Sequence, residues 1–156
     1  MRRVVSATLL GLVLAAGIAG AVGWQQGLRP YVIRTGSMSP TYPVGALVLD
    51  DTAGVAAARP GDVATFRTRS GPVTHRLVAR TRAGWSTQGD ANRDADPWTV
   101  PTQHLIGVVR GGVAGVGYLV VFLQQPTGVP SLMVLGACSV LAWSMFFPGQ
   151  VARPGR

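Results

Sequence analysis

Two long uncharged stretches bracket this chain, and a shorter-ranged pattern fills the space between them. After Arg2 and Arg3, residues 4–23 carry no charge, and residues 129–147 repeat that character ahead of Arg153 and Arg156. A helix needs about 20 apolar residues to cross a bilayer, so each stretch predicts a membrane-spanning helix. Basic residues favour the cytoplasmic side, which predicts that both termini are cytoplasmic and that the middle of the chain lies outside. Ala19-Gly20-Ala21 also offers small residues at the spacing of a cleaved secretory leader. The apolar run exceeds the usual leader core of about 7 to 15 residues, and a retained anchor is therefore the expectation. Trp143, Phe146 and Phe147 suit an interfacial aromatic anchor. Residues 115–123 form a third apolar run, closed by Gln124-Gln125-Pro126-Thr127-Gly128. It is too short to span and is expected on the membrane surface or against the folded domain.

Between the anchors, residues 28–112 show short apolar or alternating runs broken by Gly, Pro and Asp, with no helical period. Candidate strands are 31–34, 46–49, 62–68, 73–81, 85–87 and 104–109, with turns at Arg59-Pro60-Gly61 and Ser70-Gly71-Pro72. The expectation is a mainly β protein: a small antiparallel β domain, folded on itself to protect its edges, between an N-terminal and a C-terminal transmembrane helix. The implied division is residues 1–27 as anchor, 28–112 as the β domain, and 113–156 as interfacial segment, second helix and short tail.

Composition narrows the chemistry. All 14 basic residues are arginine and all 6 acidic residues aspartate, for a net charge of +8. The arginines of the middle are scattered singly and accompany no nucleic-acid reader motif, so nucleic acid is not an expected partner. Anionic lipid head groups are, since each basic residue near a membrane surface contributes about 1 kcal/mol. The single cysteine, Cys138, sits among Leu135, Gly136, Ala137, Ser139 and Val140. It can form no internal disulfide, belongs to no zinc cluster, and lacks the polar setting that a nucleophilic thiol needs.

With no lysine or glutamate, a general base near neutral pH must be a histidine, His75 or His104, or an aspartate. A serine hydroxyl becomes a nucleophile when a base lies within hydrogen-bond reach and a third group orients that base. Thr35-Gly36-Ser37-Met38-Ser39-Pro40-Thr41 follows a candidate strand and reads as a tight turn presenting Ser37. Such clusters are, on their own, usually plain loops.

The wider pattern adds to this. The serine segment, continued by Tyr42-Pro43-Val44-Gly45-Ala46-Leu47-Val48-Leu49, resembles the catalytic-serine box of type I signal peptidases. Arg59-Pro60-Gly61-Asp62-Val63-Ala64-Thr65-Phe66 resembles the family's Pro-Gly-Asp box. Val73-Thr74-His75-Arg76-Leu77-Val78 resembles the box that carries a lysine base in bacterial-type members and a histidine in the archaeal and endoplasmic-reticulum type. Thr87-Gln88-Gly89-Asp90-Ala91-Asn92 resembles the Gly-Asp-Asx-Asn box, and Asp96 sits where the histidine type has a further acid. The four boxes keep the family's order over residues 35–96. Two departures stand out: Ser39, where the family often has an acidic or bulky residue, and a short, plain loop over residues 50–58.

The resemblance implies a membrane-bound serine endopeptidase that removes signal peptides from exported preproteins outside the cytoplasmic membrane, with no metal or organic cofactor. It implies Ser37 as nucleophile, His75 as general base, and Asp96, with Asp90 as the other candidate, as the acid orienting the histidine. Backbone N–H groups at the turn of Ser37, assisted by the Thr35 hydroxyl, would serve the oxyanion. Substrate would add as a strand near Tyr31, Ile33, Gly36 and Met38, with shallow pockets selecting small side chains. Asp94 reads as solvated and His104 as structural or superficial. Two alternatives compete with this reading. One is a catalytically silent membrane-anchored β domain acting as a binding or assembly module. The other is a Ser/Lys self-cleaving repressor-type protease, which the absence of lysine disfavours. Accessory membrane subunits and the identity of the preproteins are open.

Overall fold

The computed structural model describes residues 2–147, so Arg153 and Arg156 lie outside the described residues. The chain divides into two compact units, residues 1–117 and 118–156. The first opens with helix α1 (Arg2–Gln25), which from Ser6 onward is long and apolar enough to cross a membrane and is unburied along that length. A reversal at Gly27 follows, with φ of 89°, a conformation that side chains resist. Arg29 folds back over the Trp24 ring, 3.8 Å from its centroid, and donates to the Trp24 carbonyl at 2.6 Å. The helix end is thereby tied to the strand that succeeds it.

Seven strands come next: β1 (Leu28–Val32), β2 (Leu47–Asp51), β3 (Val63–Thr68), β4 (Gly71–Thr81), β5 (Gly84–Gln88), β6 (Thr99–Val100) and β7 (Leu105–Val113). Every pairing is antiparallel, and the single sheet runs β1-β2-β7-β3-β4-β5-β6. β3, β4 and β5 pair through tight local hairpins, whereas β7 returns from far along the chain to fill the gap between β2 and β3. Phe66, Leu77 and Trp85 centre one apolar cluster, with Ala58, Ala64, Val100, Leu105 and Val108 around them. Ile33, Ala46 and Val48 form a second. Register shifts at Leu49/Asp50, Thr65/Phe66 and Leu77/Ala79 break the ladder, and such bulges increase local twist. The sheet coils far enough for the segment after β1 to meet β4, four places away in strand order.

The mainly β, antiparallel expectation is met, with helices at both ends, but several boundaries differ. β1 starts three residues and ends two residues earlier than expected, because Leu28 already pairs with Asp51 and the ladder ends at Val32. Pro30 is tolerated inside it because β1 is an edge strand. β6 was not expected, being only two residues long and held by β5. Residues 50–58 are not a plain loop: Asp50 and Asp51 complete β2, and Ala53–Ala57 is a 3-10 helix. Asp50 is fully buried, and neither carboxyl oxygen has a hydrogen-bond partner among the described residues. Burial pushes its carboxyl up to about 6, a rise that the nearby Thr65 hydroxyl, itself paired with Thr74 at 2.8 Å, offsets only in part.

Helix α2 (Val116–Gln124) starts at the end of the first unit and spans only nine residues. The second unit is dominated by α3 (Gly128–Phe146), long and apolar enough to cross a membrane. Trp143 packs on Phe147 at its end with ring centroids 4.3 Å apart, and Cys138 is an exposed helix residue.

Candidate active site

Beyond β1 the chain stays extended through Thr35 and then tightens into a single 3-10 turn, Gly36–Met38, closed by the Ser39 N–H donating to the Gly36 carbonyl at 3.0 Å. Met38 is buried and anchors the turn from beneath, while Gly36 is exposed and Ser37 is half-buried. The leading N–H groups of such a turn, here including those of Ser37 and Met38, have no carbonyl partner within it. A Cβ placed on Gly36 would meet nothing within 4 Å, so the space before the serine is open.

His75 projects from β4 on the same face as Leu77, and both are buried. Its Nε2 lies 3.0 Å from Ser37 Oγ and its Nδ1 2.7 Å from Asp96 Oδ2. Phe66 meets the imidazole edge-on, with centroids 6.2 Å apart, and helps to fix the ring plane. An imidazole that gives its Nδ1–H to a carboxylate keeps a lone pair on Nε2, and that lone pair can accept the Ser37 hydroxyl proton. Asp96 comes from the irregular segment between β5 and β6. Its Oδ2 also accepts from Thr87 Oγ1 at 2.6 Å, and its N–H donates to the Thr87 carbonyl at 2.7 Å. With only 8% and 6% of their side chains exposed, His75 and Asp96 interact where water screens them little.

Asp90 is engaged elsewhere. Arg76 holds it through two hydrogen bonds, Nε to Oδ1 at 2.8 Å and Nη2 to Oδ2 at 2.6 Å, and Thr41 Oγ1 donates to Oδ2 at 2.6 Å. The Arg76 guanidinium holds the Asp90 carboxyl below the usual carboxylate range, with Thr41 adding to the effect, and Asp90 in return raises Arg76. Arg76 also donates to the Gly61 carbonyl at 2.7 Å. The group ties together β4, the turn before β3 and the serine segment.

The structure therefore brings Ser37, His75 and Asp96 into one hydrogen-bonded line, while the hydrogen bonds of the Asp90 carboxylate go to Arg76 and Thr41 instead of the imidazole. Thr35 Oγ1 lies 3.3 Å from Ser37 Oγ. Tyr31 is half-buried on edge strand β1, while Ile33 and Met38 point into the protein and offer little open surface. His104 is exposed at the end of a 3-10 helix and Asp94 is exposed. Reading the sequence gave no role to Thr87 or Arg76. The available signal for the first was a threonine two residues after Trp85 in an alternating strand, and for the second the arginine directly after the histidine. No protein-family model matches the chain, and no curated protein matches it in sequence.

Proposed function

We propose that the protein is a membrane-bound serine endopeptidase that removes signal peptides from exported preproteins, as its resemblance to type I signal peptidases implies. The observation that carries this reading is the contact line Ser37 Oγ, His75 Nε2, His75 Nδ1, Asp96 Oδ2, with steps of 3.0 and 2.7 Å on either side of the ring. In the first half-reaction His75 takes the proton from Ser37 as Oγ attacks the scissile carbonyl, and Asp96 balances the imidazolium that forms. His75 then protonates the departing amine, and the acyl group stays on Ser37. Water, deprotonated by the same histidine, releases it. Backbone N–H groups of the Gly36–Met38 turn, with Thr35 beside them, are the donors at hand for the oxyanion. Open space before Gly36 and the unpaired side of β1 suit an extended peptide with small side chains. Helices α1 and α3, placed in the membrane, would hold the site near the depth at which signal peptides end.

The test compares purified variants on one preprotein. His75→Ala and Asp96→Asn should each lower kcat by about a thousandfold or more, while His104→Ala should leave it within about twofold. A His75→Ala protein with wild-type kcat would end the Ser/His mechanism.

A further inference from the structure

Asp96 is delivered by an exposed, irregular segment, with Asp94, Ala95 and Pro97 all open to solvent, yet its carboxylate must be held at hydrogen-bond distance, 2.7 Å, from His75 Nδ1. A loop does not supply that by itself. Thr87 grips the residue at two points: its carbonyl accepts the Asp96 N–H at 2.7 Å, and its hydroxyl donates to Asp96 Oδ2 at 2.6 Å. The oxygen so held is the one that faces His75 Nδ1. Thr87 is fully buried on β5 and pairs in register with Leu77 of β4, two residues from His75. The loop acid is therefore referenced to the strand neighbouring the one that carries the base.

We infer that Thr87 is a positioning residue of the proteolytic site, acting through Asp96 to hold His75 in the tautomer and orientation that leave Nε2 free for Ser37. The inference rests on the serine endopeptidase reading for its kinetic consequence but not for its structural one. A hydroxyl donating to an ionised carboxylate makes a charge-assisted bond, and it occupies the oxygen side that would otherwise let the carboxylate turn away from the ring. The backbone contact fixes where Asp96 is, and the side-chain contact fixes how its carboxylate is turned. A Thr87→Val change removes only the second.

Thr87→Val and Thr87→Ser, made in the full-length chain in detergent micelles, separate this role from packing. Thr87→Val should lower kcat about ten- to a hundredfold with KM within about twofold, since substrate contacts are untouched. Thr87→Ser keeps the hydroxyl and should restore kcat to within about threefold of wild type. In proton NMR spectra, the downfield Nδ1–H signal of His75, assigned by its loss in His75→Gln, should be present in wild type and Thr87→Ser and shifted or lost in Thr87→Val. Equal kcat losses for Val and Ser would mean that side-chain packing matters and would overturn the inference, as would an unmoved His75 signal in Thr87→Val. If wild-type protein cleaves no preprotein while the signal responds as described, the positioning role stands and the endopeptidase reading falls.

Discussion

Asp50 and Asp96 carry the same functional group and meet opposite environments. Asp96 receives hydrogen bonds from Thr87 and from the imidazole and lies where a balancing charge is useful. Asp50 is buried among strands, its oxygens have no hydrogen-bond partner among the described residues, and burial, offset only in part by the nearby Thr65 hydroxyl, pushes its carboxyl up to about 6 from an ordinary 3.8. The sign follows from linkage. A carboxyl whose pKa is higher folded than unfolded favours the folded state while protonated, so its contribution is full below about pH 4 and is lost as pH rises to and through about 6. The difference amounts to about 3 kcal/mol. Asp51 and Asp90, whose carboxyls are lowered, act in the opposite direction and below that window. The unfolding temperature of wild type should therefore fall from pH 4 to pH 7, and Asp50→Asn should flatten that stretch of the curve and unfold about 5 °C or more above wild type at pH 7.5. Parallel curves for the two proteins would show that the buried carboxyl does not titrate in the range given.

At the scale of elements, the site is a meeting of three pieces: the turn after β1, the strand β4 and the segment after β5. The contact between the first and third is unusually close, because the Ala91 N–H donates to the Ser37 carbonyl at 2.8 Å and Gly89 lies directly against the turn. A Cβ on Gly89 would come within 2.6 Å of the Ser37 carbonyl oxygen and 2.9 Å of its Cβ, so only glycine fits. Gly89→Ala should move the serine turn relative to β4 and lower kcat by about a hundredfold, because small misplacements of reacting groups carry penalties of that size. Far-ultraviolet circular dichroism should show the sheet intact; wild-type kcat in this variant would mean that the turn has room to adjust.

Ser37, His75 and Asp96 were singled out through the resemblance of the segments around them to a family's boxes: on its own the Gly36-Ser37 turn reads as a plain loop, and Asp96 was marked only by its place six residues past Asp90 in that pattern. The choice between Asp90 and Asp96 was not local. It depends on Arg76 pointing from β4 into Asp90 and on Thr41 reaching it from the serine segment. The hairpins β3–β4 and β4–β5 were legible because they are marked by nearby glycines and alternation. The limits of β1, the existence of β6 and the burial of Asp50 were hidden because each is set by a partner strand distant in sequence or by one too short to leave a pattern.

For the whole molecule, charge and apolar length together favour membrane residence. Helices α1 and α3 are each long and apolar enough to span, and the chain as a whole carries a net charge of +8, a sign that suits an anionic lipid surface. The proposed function requires the β domain and its serine on the outer side, with the arginines at positions 2, 3, 153 and 156 at cytoplasmic ends. A catalytically silent module would have no use for a serine, a histidine and an aspartate in one hydrogen-bonded line. The most direct measurement of the central claim is incubation of the purified full-length protein with a preprotein bearing a signal peptide, followed by sequencing of the new N-terminus, with Ser37→Ala in parallel. The proposed mechanism predicts a single cut just after a small residue at the end of the signal peptide, absent with Ser37→Ala. An intact preprotein with wild type, or the same cut at the same rate with Ser37→Ala, would contradict it.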